Sequence, residues 1–254
     1  MTEDICLVEN RGHVLIVTLN RPAQRNALNA ALRQRLRDVF DDYEADPELR
    51  CAILTANGTA FCAGGDLKEM ASEAVQIPPE EWSLLLSSKG HVIKPVIGAV
   101  NGFALAGGFR LVQDVDLCIA ADTAVFGISE VKRGRGAPWA APLIDLMSKR
   151  VMMELLITGE PMTAQRAYEV GFVNRVVPGD RLLDEALAVA ETVASNAPLS
   201  VAAGKKLVEI STELGSSHAV AFANAVYEKV YRSDDAAEGP RAFAEKRQPV
   251  WTGR

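Results

Sequence analysis

Phe61-Cys62-Ala63-Gly64-Gly65-Asp66 and Leu105-Ala106-Gly107-Gly108-Phe109 decide how this chain is read. The first follows the apolar run Cys51-Ala52-Ile53-Leu54; the second follows Pro95-Val96-Ile97-Gly98-Ala99-Val100. Each is a glycine-bearing turn after a strand-like run, so each can aim a backbone N–H at one shared point. Two such donors form an oxyanion hole, which stabilises negative charge growing on a carbonyl oxygen. The same glycines also suit ordinary turns, where they supply φ > 0 or close backbone packing. A phosphate loop fits neither stretch. No GxxxxGK followed by Ser or Thr is present, and no GxGxxG follows the first strand.

Outward from these turns, strand and helix patterns alternate. Ile5 to Glu9 and Val14 to Leu19 read as a hairpin around Asn10-Arg11-Gly12. Asn29 is placed to cap a helix over about 30–43, with Leu32, Leu36, Val39, Phe40 and Tyr43 as its apolar stripe. Asp46-Pro47 ends it. A strand over 51–55 leads into the first glycine turn, and Leu67 to Ala71 starts a short helix. A loop with Pro78-Pro79 and a helix over 80–91 follow. Lys94 to Val100 is a strand, and the second glycine turn opens a helix near Gly107. Strands are expected over 116–120, 124–127 and 172–177, and a helix over 140–158. Helical periodicity then dominates, over 180–195, 198–213, 217–232 and 234–246. The order predicts an α/β core over 1–195 and a helical C-terminal region over 196–254. Phe222, Val226, Tyr227, Val230 and Tyr231 form an aromatic face that packs within the subunit or against a neighbouring one.

Composition limits the function classes. The chain has 254 residues, 48% of them hydrophobic and 24% charged, which supports a sizeable core and argues against disorder. A net charge of -6 argues against general nucleic-acid binding, which needs basic patches for phosphates. Cys6, Cys51, Cys62 and Cys118 form no CxxC pair and no metal spacing, and read as buried thiols. His13, His91 and His218 are scattered, with no partner in sequence for a triad or a metal site. The acidic start Met1-Thr2-Glu3-Asp4 lacks a signal-peptide core, and no apolar run is long enough to span a bilayer. A cytoplasmic, reducing setting without membrane contact is the expectation.

Together these motifs resemble the crotonase superfamily, the enoyl-CoA hydratase/isomerase fold. The matching pieces run in order from about residue 5 to 210. They are Asn20-Arg21-Pro22 with Asn26-Ala27-Leu28-Asn29, then Phe61 through Met70, then Lys94 through Ile97. Val100 through Gly108, Phe126 through Val131, Leu156 through Gly159 and the run AQRAYEVGFVNRVV over 164–177 follow. The resemblance implies a spiral of ββα repeats with a helical trimerisation region, assembled as a homotrimer or a dimer of trimers. It implies an acyl-CoA thioester as substrate, with coenzyme A part of the substrate and no separate cofactor or metal. It assigns the oxyanion donors to the N–H groups of Ala63 and Gly107. Arg25, Ala27, Leu28, Gly65, Asp66, Leu67 and Lys68 match the CoA cleft, with Arg25 and Lys68 as candidates for the CoA phosphates. Gly108, Arg110, Ser129 and Pro138 complete the expected substrate-binding set.

Two departures stand out. Hydratases of the family use two glutamates; the second matches Glu130, but the first falls on Arg110. The segment after Glu130 reads Gly134-Arg135-Gly136-Ala137-Pro138-Trp139-Ala140, where family hydratases carry GxxPGAGG. Pro138 has no N–H to offer there. Arg110 either faces the acyl pocket and binds a polar acyl group, or pairs with Asp114 or Asp116 as a structural ion pair. The run Lys132-Arg133-Gly134-Arg135 is a solvated face or a carboxylate-binding wall. One carboxylate suffices to relay a proton. The expected activity is therefore hydration of a 2-enoyl-CoA with Glu130 as acid and base. Double-bond isomerisation by Glu130 alone, or an inactive assembly subunit, are the alternatives.

Overall fold

The computed structural model describes residues 4–72, 92–214 and 216–254. The chain opens with the antiparallel hairpin β1 (Cys6–Arg11) and β2 (Val14–Leu19). Helix α1 (Ala30–Ala45) follows, and the Asn29 side chain accepts the Leu32 N–H at 3.0 Å to cap it. A long strand, a turn, a short strand and a helix then recur. They are β3 (Cys51–Ala56), β4 (Ala60–Cys62) and α2 (Leu67–Ser72), then β5 (Val96–Val100), β6 (Phe103–Leu105) and α3 (Gly107–Gln113). The third set is β7 (Leu117–Ala121) and β8 (Val125–Gly127), followed by α4 (Leu143–Leu146) and α5 (Lys149–Thr158). After β9 (Met162–Thr163), α6 (Ala164–Glu169) and β10 (Arg175–Val177), the chain ends in α7 (Leu182–Ala194), α8 (Pro198–Leu214), α9 (Ser216–Tyr231) and α10 (Asp234–Glu245).

The long strands build one sheet in the order β1-β2-β3-β5-β7-β10, and the short ones a second in the order β4-β6-β8-β9. From β2 to β10 the large sheet is parallel. Its strands are apolar on both faces, as a covered parallel sheet requires. Leu15, Val17, Ala52 and Leu54 join one core cluster with α1; Val14, Ile16, Cys51 and Ile53 join another under α7. The alternation follows from successive side chains pointing to opposite faces of a strand. Helix α7 meets the sheet through Leu182, Ala186, Ala190 and Ala194, a four-residue repeat of mostly small side chains.

Asparagine side chains stitch the corner between the sheets. Asn57 Nδ2 donates to Asn20 Oδ1 at 3.0 Å, and Asn101 Nδ2 donates to Gly58 O at 2.8 Å. Each Asn-Gly pair turns the chain from the large sheet to the small one. A Cβ on Gly102 would lie 2.2 Å from Thr59 O, so adjacent turns stack too closely for any other residue.

Several expectations change. The helix expected over 140–158 is broken into α4 and α5, because Met147 and Ser148 adopt extended backbone. The strand expected over 172–177 shortens to Arg175–Val177, and residues Ala164–Glu169 are helical. Phe61, Cys62 and Leu105, read as the openings of the glycine turns, lie in the short strands Ala60–Cys62 and Phe103–Leu105 of the second sheet. The helix expected over 80–91, the loop around Pro78-Pro79 and His91 lie outside the described residues. All four cysteines are buried and free.

Candidate active site

The small sheet gathers the site. Strands β4, β6 and β8 lie side by side and run parallel. Their C-terminal ends therefore open on one edge, where ligands bind in open parallel sheets. Gly65 comes three residues after Cys62, Gly107 two after Leu105, and Glu130 three after Gly127. The two glycine turns touch: a Cβ on Gly107 would meet Gly64 Cα at 3.5 Å and Gly64 C at 3.6 Å. The Ala106 N–H donates to Gly127 O at 2.9 Å, which joins the second turn to the strand that carries Glu130.

Accounting for each N–H corrects the expected donor pair. The Ala63 N–H is bonded to Arg25 O at 3.0 Å, so it is not available to a ligand. Leu28 forms a parallel bridge with Gly65: its N–H donates to Gly64 O at 2.8 Å, and its carbonyl accepts the Asp66 N–H at 3.0 Å. In such a bridge the middle residue turns its own N–H to the opposite side. The Gly65 N–H thus faces away from Leu28, beside Gly107, and no acceptor meets it among the described residues. Gly107 is the first residue of α3, where N–H groups have no partner within the helix.

Ala106 holds this turn in an unusual backbone state, φ +50° and ψ −117°. An L-residue there costs about 1–3 kcal/mol. It is locked by its N–H on Gly127 O and by its carbonyl, which accepts the Arg110 N–H at 3.0 Å. Gly108 has a packing reason to be glycine, since a Cβ would stand 2.1 Å from Cys62 O.

Glu130 opens a short 3-10 turn, Glu130–Arg133. Among the described residues its Oε2 is buried with no hydrogen-bond partner. Burial pushes its carboxyl above the usual range, opposed by its own backbone N–H, the Trp139 side chain and Arg133. A carboxylate raised by burial is suited to take and return a proton near neutral pH. Cys62, at the end of β4, is no nucleophile: burial pushes its thiol up to about 12.

Arg110 lies one turn beyond Gly107, with Nε 3.6 Å from Asp114 Oδ2. Asp116 is engaged elsewhere, on Lys205 at 2.9 Å. Of the two partners weighed from sequence, Asp114 is the one found. In the basic run, Lys132 pairs with Glu160 at 2.8 Å and Arg133 reaches Ser129 Oγ at 3.2 Å. The Ser129 hydroxyl oxygen thus accepts within its own turn and keeps its O–H to donate. Pro138 is exposed at the start of a 3-10 turn, Pro138–Ala140.

Arg25, Leu67 and Lys68 are exposed beside the Leu28–Gly65 bridge, with Ala27 and Asp66 half-buried among them. Arg21 braces this group, reaching Ala27 O and Asp66 Oδ2. Sequence reasoning missed three supports. Buried Asn26 donates to Asn57 O and Ala60 O and accepts the Arg21 N–H, fixing the Arg25 turn. Glu69 caps α1 at the Ala30 N–H (2.9 Å) and pairs with buried Arg33 at 3.2 Å. Trp139 packs its ring 6.1 Å from that of Phe109. The only sequence signal for these was a polar or aromatic residue beside a motif.

A family model described as enoyl-CoA hydratase/isomerase matches residues 9–254. The chain belongs to the enoyl-CoA hydratase/isomerase family. It is 39% identical to enoyl-CoA hydratase EchA19 of Mycobacterium tuberculosis, over 98% of this chain and 96% of that protein. It is 38% identical to a carnitinyl-CoA dehydratase of Citrobacter koseri, over 96% of each. A crystal structure of an enoyl-CoA hydratase from M. tuberculosis H37Rv superposes with a TM-score of 0.91 at 40% identity, covering 99% of this chain and 100% of that one. The fold is that of the crotonase superfamily, and the chain is an enzyme of acyl-CoA chemistry, of the lyase kind.

Proposed function

We propose that this hydratase/isomerase family member adds water in syn fashion to a 2-enoyl-CoA. The N–H groups of Gly65 and Gly107 hold the thioester oxygen. Glu130 takes a proton from water as the water oxygen bonds to C3. The electron pair moves through C2 onto the thioester oxygen, and the proton then passes from Glu130 to C2. The charge on that oxygen is what the two donors stabilise. One observation carries this reading: two N–H groups without an acceptor among the described residues, and one buried carboxylate oxygen, leave the ends of three adjacent parallel strands. Arg25 and Lys68 take the CoA phosphates in the same reading, and the enzyme works as a homo-oligomer in the cytoplasm.

Arg110, in place of a second carboxylate, favours one other chemistry: Glu130 alone moving a proton from C2 to C4 of a 3-enoyl-CoA. Crotonyl-CoA and a 3-enoyl-CoA, each offered to wild type and Glu130→Gln, separate the two. Glu130→Gln is expected to lose at least about 100-fold in the hydration rate. Near-full hydration by the variant would remove Glu130 from the mechanism, and turnover of the 3-enoyl-CoA alone would establish the isomerase.

A further inference from the structure

We propose that a second ligand site lies in the cleft between the C-terminal strap, residues 248–253, and the edge of the large sheet. Its ligand is a small zwitterion, with a carboxylate on Arg50 and an ammonium beside Glu191 and Trp251.

The cleft has a volume of about 540 Å³, the size of a small-molecule site. The hairpin turn with Arg11 and His13, Arg50, the last turn of α7 with Glu191, and Gln248 and Trp251 of the strap line it. The strap is firmly held. Buried Asp235 accepts the N–H groups of Thr252 at 2.7 Å and Gly253 at 3.0 Å. Glu238 accepts the Val250 N–H at 2.9 Å. Trp251 donates its indole N–H to Ser195 O at 2.7 Å, and its ring lies over Gly239, where an added Cβ would stand 3.5 Å from it. In the hairpin, His13 Nδ1 donates to Glu48 O at 2.6 Å, which fixes that ring as well. The walls are thus set before any ligand arrives, which lowers the cost of binding one.

The charges on these walls do not cancel locally. Half-buried Arg50 donates from Nη1 to Ala194 O and from Nη2 to Trp251 O, each at 3.2 Å. Carbonyl oxygens orient a guanidinium but do not neutralise it. No carboxylate pairs with Arg50 among the described residues, and its other N–H groups meet no acceptor there. A cation drawn partly out of water without a counter-charge is unfavourable, so the site is short of an anion. Arg11 is different, because Glu9 on its own strand pairs with it at 2.7 Å. Glu191 is exposed, and its side chain has no partner among the described residues. One cation and one anion are therefore left, and they do not pair with each other. An anionic ligand would face Glu191, and a cationic one would face Arg50. A molecule carrying both charges answers both, and the Trp251 indole adds attraction for its ammonium end.

This cleft stands apart from the reacting groups. His13 and Arg50 directly precede β2 and β3, whereas β4 and its glycine turn follow the far end of β3. The six residues of β3 set the two about 20 Å apart. The inference is therefore independent of the role given to Glu130.

Calorimetry on the full chain, with acetyl-CoA saturating the substrate cleft, tests it with ω-amino acids from glycine to 6-aminohexanoate. The best of them is expected to bind with a Kd of about 1 mM or tighter. The carboxylic acid and the amine of the same length should bind at least about tenfold more weakly. Arg50→Gln and Glu191→Gln should each weaken the amino acid by a similar factor. Turnover of the enoyl-CoA that wild type prefers, within about twofold of wild type, reports that each variant is folded. Should Arg50→Gln not fold, because Arg50 also holds the strap, Glu191→Gln at its exposed position still decides. No binding of any ω-amino acid, equal binding of the acid or the amine alone, or unchanged affinity in folded Glu191→Gln overturns the site.

Discussion

Asp114 shows how one residue couples the site to stability. Its side chain is 3% exposed. Burial pushes its carboxyl up to about 7, against the pull of Arg110. The folded chain therefore keeps this proton to about pH 7, while the unfolded chain releases it near the ordinary Asp value of about 3.9. Between those values the native state binds more protons, so stability falls as pH rises. Asn at this position carries no such penalty. Asp114→Asn should gain on wild type across that window, by up to about 4 kcal/mol. Urea unfolding at about pH 4.5 and about pH 7.5 measures it. If the two proteins lose stability equally between these pH values, the buried carboxyl is not the cause. The residue scale is also where the sequence misled. A Gly-Gly pair shows that an N–H can be free, but not which one. Leu28, far back in the chain, decides that by bridging Gly65, and Arg25 removes Ala63 by accepting its N–H.

At the scale of elements, the decisive contact is α3 against β4. Gly108 brings the helix onto the Cys62 carbonyl, where a Cβ would stand 2.1 Å away. Gly108→Ala must push helix and strand apart, at about 3 kcal/mol. It should also separate the Gly65 and Gly107 turns. Thermal melts and hydration rates together test this: a stable variant with unchanged kcat would contradict the argued closeness. Long elements were legible from the chain. The stripe of α1 with its Asn29 cap, and the four C-terminal helices, appear within a residue or two of their expected ends. Apolar periodicity needs several residues to show. β4 and β6, three residues each, are too short to carry it, yet the proposed donors Gly65 and Gly107 come just after them. Their existence depends on pairing across the small sheet. The break between α4 and α5 was equally hidden, since no glycine marks Met147-Ser148.

At the scale of the whole molecule, the C-terminal helices leave large apolar side chains in solvent. Phe243 is 86% exposed and Tyr231 76%. Helices α8 and α9 pack on each other, and α8 is fastened to the large sheet by Lys205, which reaches Asp116 at 2.9 Å and Lys94 O at 3.2 Å. Exposed apolar faces of this kind are found where copies meet. Sedimentation at micromolar concentration should find an assembly larger than one chain, and a single monomeric species would count against it. The row of β4, β6 and β8 has one further consequence. Neighbouring strands stand about 4.8 Å apart, a spacing set by backbone hydrogen bonds and indifferent to side chains. The sheet is thus a ruler. In the proposed reaction it fixes where the thioester carbonyl is gripped, whatever residues stand at positions 110 or 130. Substitution at those positions can exchange one fate of the gripped molecule for another without moving the grip. A chain built this way can change its chemistry by single steps while the strand spacing stays the same.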